Sequence, residues 1–135
     1  MKNKICVWPS SELTSVFGTI GRQAAYLVCE KLRPQQTVLG CMPALFSGVQ
    51  EDIGFARDLP IITLEGHHAH HADKLLKEYA RDKVTIVVDV ERLLKINLIN
   101  VSDSSPQKLG PKGNKAVRFL AHYTAKIVDD LLRKK

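Results

Sequence analysis

Short apolar runs alternate with stretches of helical periodicity along this chain, and that alternation limits what it can fold into. The clearest run is "VTIVVDV" (84–90), β-branched nearly throughout; "KICVWP" (4–9), "TVLGC" (37–41) and "PIITLE" (60–65) are three more. Continuous apolar runs of this length are how buried parallel strands read. Between them, "GTIGRQAAYLVCEKL" (18–32) sets Ile20, Ala24, Leu27, Val28 and Leu32 at helical spacing, closed by Arg33 and Pro34. "MPALFSGVQEDIGFARDL" (42–59) puts Leu45, Val49, Ile53 and Ala56 on one helical face, and Pro43 suits a first helical position. "HAHHADKLLKEYA" (68–80) is a third helix with a stripe of Ala72, Leu75 and Tyr79.

A β-α-β-α-β-α-β order requires a parallel sheet with its crossover helices packed on both faces. The expectation is therefore one α/β domain over 1–135: a three-layer, open, mainly parallel sheet of about four strands, flavodoxin-like or Rossmann-like. "ERLLKINLIN" (91–100) fits either a short helix or a helical turn followed by a strand. "VSDSSPQKLGPKGNK" (101–115) reads as a polar loop, and a basic C-terminal helix is expected at about 113–133. No internal repeat and no linker divides the chain.

Several function classes fail on composition or motif. The chain has 135 residues, 44% apolar and 25% charged, enough for a core without disulfides. No apolar run has the length of a membrane span, and the apolar part of "MKNKICVWPSS" is too short for a secretion signal, so a cytoplasmic location is expected. Three cysteines, without CxxC spacing, argue against a disulfide framework or a redox pair. The net charge of +6 is scattered except in the last third, with no aromatic interleaving and no groove-reading motif, so no nucleic-acid partner is expected. Ser47 stands where a Cys-x5-Arg phosphatase loop from Cys41 would need arginine, and neither a P-loop nor GxGxxG is present.

The chemistry concentrates in "EGHHAHH" (65–71), which holds four of the five histidines. In an open parallel sheet, ligands bind beyond the carboxyl ends of the strands. The topology brings three loops to that edge: "PSSELTS" (9–15) with Ser10 and Ser11, "GCMP" (40–43) with Cys41, and the histidine loop. A helix starting at Gly66 or His67 would stack His67 and His71 one turn apart, able to share an ion, with His70 close by. His68 would then turn toward the sheet. A thiolate with two imidazoles suits zinc, and also iron or copper. Cys41, His67 and His71 are the expected ligands, with His70 or His68 as a fourth ligand or a supporting partner. The glutamate of HExxH is missing, which excludes a zinc-protease motif. Glu12, Glu65 and Asp89 are candidate acids or bases at the same edge, while Cys6, Cys29 and His122 read as structural. Two alternatives use the same residues differently: a module binding a small anionic ligand or cofactor at this edge, and an interaction protein docking through its basic C-terminal helix.

The segments "WPSSE", "GTIGRQAAY", "GCMPALFSGVQEDIGFAR" and "EGHHAHHADKLL", in this order, resemble the DGC-motif family of small zinc-binding proteins. That family has a Pro-Cys-Ser-Gly-like first loop, Arg-Gln-Ala-Ala-Tyr on a helix, Cys-Leu-Pro-Ala-Leu, and then Asp-Gly-Cys-x-x-x-Cys. The resemblance covers about the first 80 residues. It implies metal binding at the positions of the family's cysteines, which fall here on Ser10, Cys41, His67 and His71. The family's aspartate becomes Glu65, and the CxxxC pair becomes HxxxH. The implied site is nitrogen-rich, with an open position where Ser10 replaces a thiolate. No particular reaction follows from the resemblance.

Overall fold

A computed structural model describes residues 3–80 and 84–134. Met1, Lys2 and Lys135, which belong to the start and basic tail discussed above, lie outside the described residues.

The four apolar runs form four strands: β1 (Ile5–Pro9), β2 (Thr37–Leu39), β3 (Ile61–Glu65) and β4 (Val84–Asp89). They make one parallel sheet in the order β2-β1-β3-β4. This is the order of the first four strands in a flavodoxin-like sheet. Val7 lies beside Leu39 and Ile62, and Glu65 beside Asp89. A register shift at Ile61/Ile62 sets Ile61 against Val84 and Ile62 against Ile86.

Alternating side chains feed two cores. Ile5, Val7, Ile62, Leu64 and Val88 face α1 (Val16–Leu27), α5 (Val90–Ile96) and α6 (Pro111–Arg133). Cys6, Trp8 and Ile61 face the opposite flank of α2 (Met42–Phe46), α3 (Gln50–Asp58) and α4 (His71–Ala80). Helices therefore cover both faces, as the alternation requires. Full burial of one such aliphatic side chain stabilises the fold by about 1.5–3 kcal/mol before entropy is counted. Cys6 is buried and Cys29 half-buried, and burial pushes both thiols up, so neither is primed as a thiolate.

Local expectations change in α2–α4, while 91–100 resolves to the first of its two readings and the last helix keeps its expected bounds to within two residues. Residues 42–59 form two helices, because the chain turns at Gly48 (φ 86°). Leu45 and Ala56 of the expected face are buried, Phe55 joins them, and Val49, at the start of the second helix, is exposed. On α4 the buried pair is Ala72 and Leu76, not Ala72, Leu75 and Tyr79; Tyr79 instead meets the Phe46 ring edge-on at 5.1 Å. The 91–100 segment is helical to Ile96 and then turns through Leu98 (φ 57°) without a strand. The last helix begins at Pro111, two residues before the expected start, where Asp103 Oδ2 accepts the Lys112 amide at 2.9 Å.

α1 ends in a π-helical turn, Val28–Leu32, and from there Arg33 grips Asp129 of α6 through two 2.8 Å bonds. The Thr19 hydroxyl donates to the Pro106 carbonyl at 2.6 Å, tying the polar loop to α1. No helix among the described residues is long and apolar enough to cross a membrane.

Candidate functional site

The winding direction reverses between β1 and β3, which makes the carboxyl ends of those two strands the switch point where such sheets bind ligands. Both loops leaving that point contain a non-glycine residue in the left-handed region: Ser11 (φ 66°) and His70 (φ 54°). Each costs roughly 1–2 kcal/mol relative to an ordinary conformation. A third left-handed residue, Leu98 (φ 57°), lies in the turn after α5, away from these two loops.

The two loops are locked together. The Gly66 amide donates to Ser10 Oγ at 2.8 Å, and Ser15 Oγ donates to the Gly66 carbonyl at 3.2 Å. Ser15 also caps α1 by accepting the Phe17 amide at 3.1 Å. A Cβ on Gly66 would lie 2.5 Å from the backbone of Gly18, so the chains meet backbone to backbone. Gly18 in turn has no room for a side chain, because a Cβ there would stand 2.3 Å from the Glu12 carbonyl oxygen.

From this joint a polar chain runs outward. Ser10 Oγ donates to Glu12 Oε1, and Glu12 Oε2 meets His71 Nδ1 at 2.9 Å. A carboxylate can only accept, so Nδ1 of His71 carries the proton and its Nε2 is the nitrogen left to face a ligand. His70 is held in the mirror sense: its Nε2 meets Asp89 Oδ2 at 3.0 Å, which leaves Nδ1. Asp89 also caps α5 through the Arg92 amide. Burial pushes its carboxyl up, but that amide, the His70 ring and the Arg92 charge together outweigh burial and hold it below the ordinary value.

His67 and His71 do come together, by a different route from the expected one. The helix begins at His71, and residues 67–70 form a turn closed by the His70 amide on the His67 carbonyl at 3.0 Å. The helix starts late because Glu65 captures the Ala72 and Asp73 amides, at 3.1 and 2.9 Å. The His67 and His71 rings nevertheless stack at 4.9 Å with planes 9° apart, and His68 stacks on His67 at 4.2 Å. His68 is exposed on that stack and does not turn toward the sheet. His67 Nδ1 accepts the Ala69 amide at 3.0 Å, so its free lone pair is already engaged.

Glu65 is fully buried with both oxygens on helix amides, which makes it a structural cap and leaves it no part in acid–base chemistry. Burial pushes its carboxyl up, and the helix amides offset this only in part. Cys41 is exposed at the start of α2, where its amide donates to the buried Asp52 carboxylate at 3.0 Å. Because β1 lies between β2 and β3, Cys41 and the histidines leave the sheet on opposite sides of the first loop. Among the described residues, no three His, Cys, Asp or Glu side chains are grouped to hold a metal ion. His122 lies outside this edge, exposed on α6.

The sequence named Glu12 and Asp89 only as residues near the edge; their pairing with His71 and His70 comes from the fold. Gly18 and Gly66 carried a readable signal, being glycines in or just after the two loops. Comparison with protein-family models, with curated proteins and with solved structures returned no match.

Proposed function

We propose that the chain is a cytoplasmic metal-binding protein that takes a transition-metal ion, zinc by its donor chemistry, at the edge between β1 and β3. The observation that carries this reading is the Glu12–His71 pair at 2.9 Å. Metal-ligating histidines commonly donate their second ring N–H to a carboxylate, which fixes the tautomer and raises the basicity of the ligating nitrogen. His71 would bind through Nε2, and His67, stacked beside it, would supply a second nitrogen on giving up the Ala69 amide. A bound zinc here would supply Lewis acidity and an acidified water. The chain's own residues hold the ring, fix its proton on Nδ1 and keep the two loops from separating. Cys41 joins such a site only if the first loop moves aside. Metal handling or sensing suits this exposed, two-nitrogen arrangement better than a buried structural zinc does.

The same edge weighs against an anionic ligand. Its carboxylates are Glu12, Asp52, Glu65 and Asp89, and two of its histidines are already paired with Glu12 and Asp89. The test is elemental analysis and zinc titration of untagged protein purified without chelator. One equivalent is expected in the wild type and none in His67→Ala/His71→Ala. Glu12→Gln should weaken zinc by roughly 10–100-fold, as loss of an outer partner does. Absence of metal with no uptake of zinc or iron would sink the proposal.

A further inference from the structure

We infer that the outward face of α6 is a docking surface for an acidic, amphipathic helix of a partner protein. The helix buries one side, including Ala116, Val117, Leu120, Ala121, Thr124 and Val128. The opposite side carries Lys115, Arg118, His122 and Lys126, spaced three, four and four residues apart, a single stripe about 16 Å long. A groove of about 790 Å³ runs along it, walled by Phe119 and Tyr123 and bounded at one end by the Arg33–Asp129 pair.

The stripe is not an ordinary balanced helix surface. Lys77, Lys95 and Arg133 are each paired with an acid one turn back in their own helices. Among the described residues, Lys115, Arg118 and Lys126 lie in a row and form no ion pair; the acids one turn ahead of Lys126, Asp129 and Asp130, are paired with Arg33 and Arg133. An unbalanced cationic row beside an apolar wall is complementary to a helix with carboxylates on one flank and aliphatic residues on the next. The row keeps helical spacing, so carboxylates one turn apart on a partner helix would meet it charge for charge. A single-stranded nucleic acid fits less well. Bases need a run of aromatic faces to stack on in succession, whereas this groove is walled by two rings, Phe119 and Tyr123, the first of them half-buried.

The test titrates the full-length, isotope-labelled protein with a synthetic peptide of about five helical turns, with glutamates along one flank and leucines along the next. The expected result is saturable binding, with amide shifts confined to α6 and the Arg33 turn. Lys115→Gln/Arg118→Gln/Lys126→Gln should weaken it at least about tenfold and flatten its salt dependence. These side chains are exposed, so circular dichroism of the variant should match the wild type. Three results would each overturn the inference: no binding at low salt, equal binding of a sequence-scrambled acidic peptide, or tighter binding of single-stranded RNA at the same salt. The last would reassign the surface to nucleic acid.

Discussion

Two glycines illustrate how little the residue type says until its surroundings are known. Gly66 faces the backbone of Gly18 at a distance no Cβ tolerates, and the Glu12 carboxylate lies almost as close. Gly66→Ala should therefore cost about 1–3 kcal/mol, the range of an overpacked contact, and should separate Glu12 from His71. Urea unfolding measures the first effect and zinc titration the second. Gly54 has open space around its Cβ direction and lies inside α3. Gly54→Ala should stabilise by up to about 1 kcal/mol, since a helix interior prefers alanine. The sequence puts one of these glycines in a loop and the other in a helix, but the close contact that decides their roles, between residues 48 positions apart, is not legible in it. The histidines follow the same logic. Their number and edge position were legible, whereas the nitrogens that His71 and His70 present depend on Glu12 of the first loop and Asp89 at the end of β4.

At the scale of the element, two acids start two helices under opposite conditions. Glu65 caps α4 from inside the protein, and Asp103 caps α6 at the surface. Glu65→Gln keeps one acceptor and turns an amide group toward backbone N–H donors. It should cost about 1–3 kcal/mol by leaving a buried donor unmet, read from the urea midpoint. The Lys112 amide holds the Asp103 carboxyl below its ordinary value of 3.8. Its folded form thus favours the ionised state, and its contribution is present above pH 3.8 and lost as the pH falls through the lowered value. The difference in stability between wild type and Asp103→Asn should accordingly shrink to nothing in strong acid, as unfolding at a series of pH values would show. Element type was readable from apolar period, but phase only in part. The helix over 68–80 keeps Ala72 in the core but replaces Leu75 and Tyr79 with Leu76, and the one over 42–59 keeps Leu45 and Ala56 but loses Val49, which follows the turn at Gly48. The sequence treated Glu65 as possible chemistry because a lone glutamate after a strand gives no sign that its oxygens will be taken by amides.

Over the whole molecule, the sheet separates two cores that share no helix. Leu120 is completely buried in the α6 core. Leu120→Ala should destabilise by about 2–5 kcal/mol, the usual range for a buried leucine, in a single cooperative transition by circular dichroism. The strand count, the parallel sense and the coverage of both faces were all legible, since each follows from a run length and an alternation that are local in sequence. The distance between Cys41 and the histidines was not, because it depends on which strand lies between β2 and β3. α6, with the proposed docking face, packs in one core and α4, which begins at His71, in the other, although Tyr123 of α6 and His70 line a common pocket beside β4.

The position of Trp8 turns this separation into an optical one. It is the sole tryptophan, fully buried, with Gly40 leaving space for its ring, and it shares a core with Ala72, the neighbour of His71. Its indole is a lamp that lights one flank only. Intrinsic emission should respond when an ion rearranges the His67–His71 turn and stay dark to a peptide lying on α6, so a single fluorimeter trace can tell which of the two surfaces has been occupied.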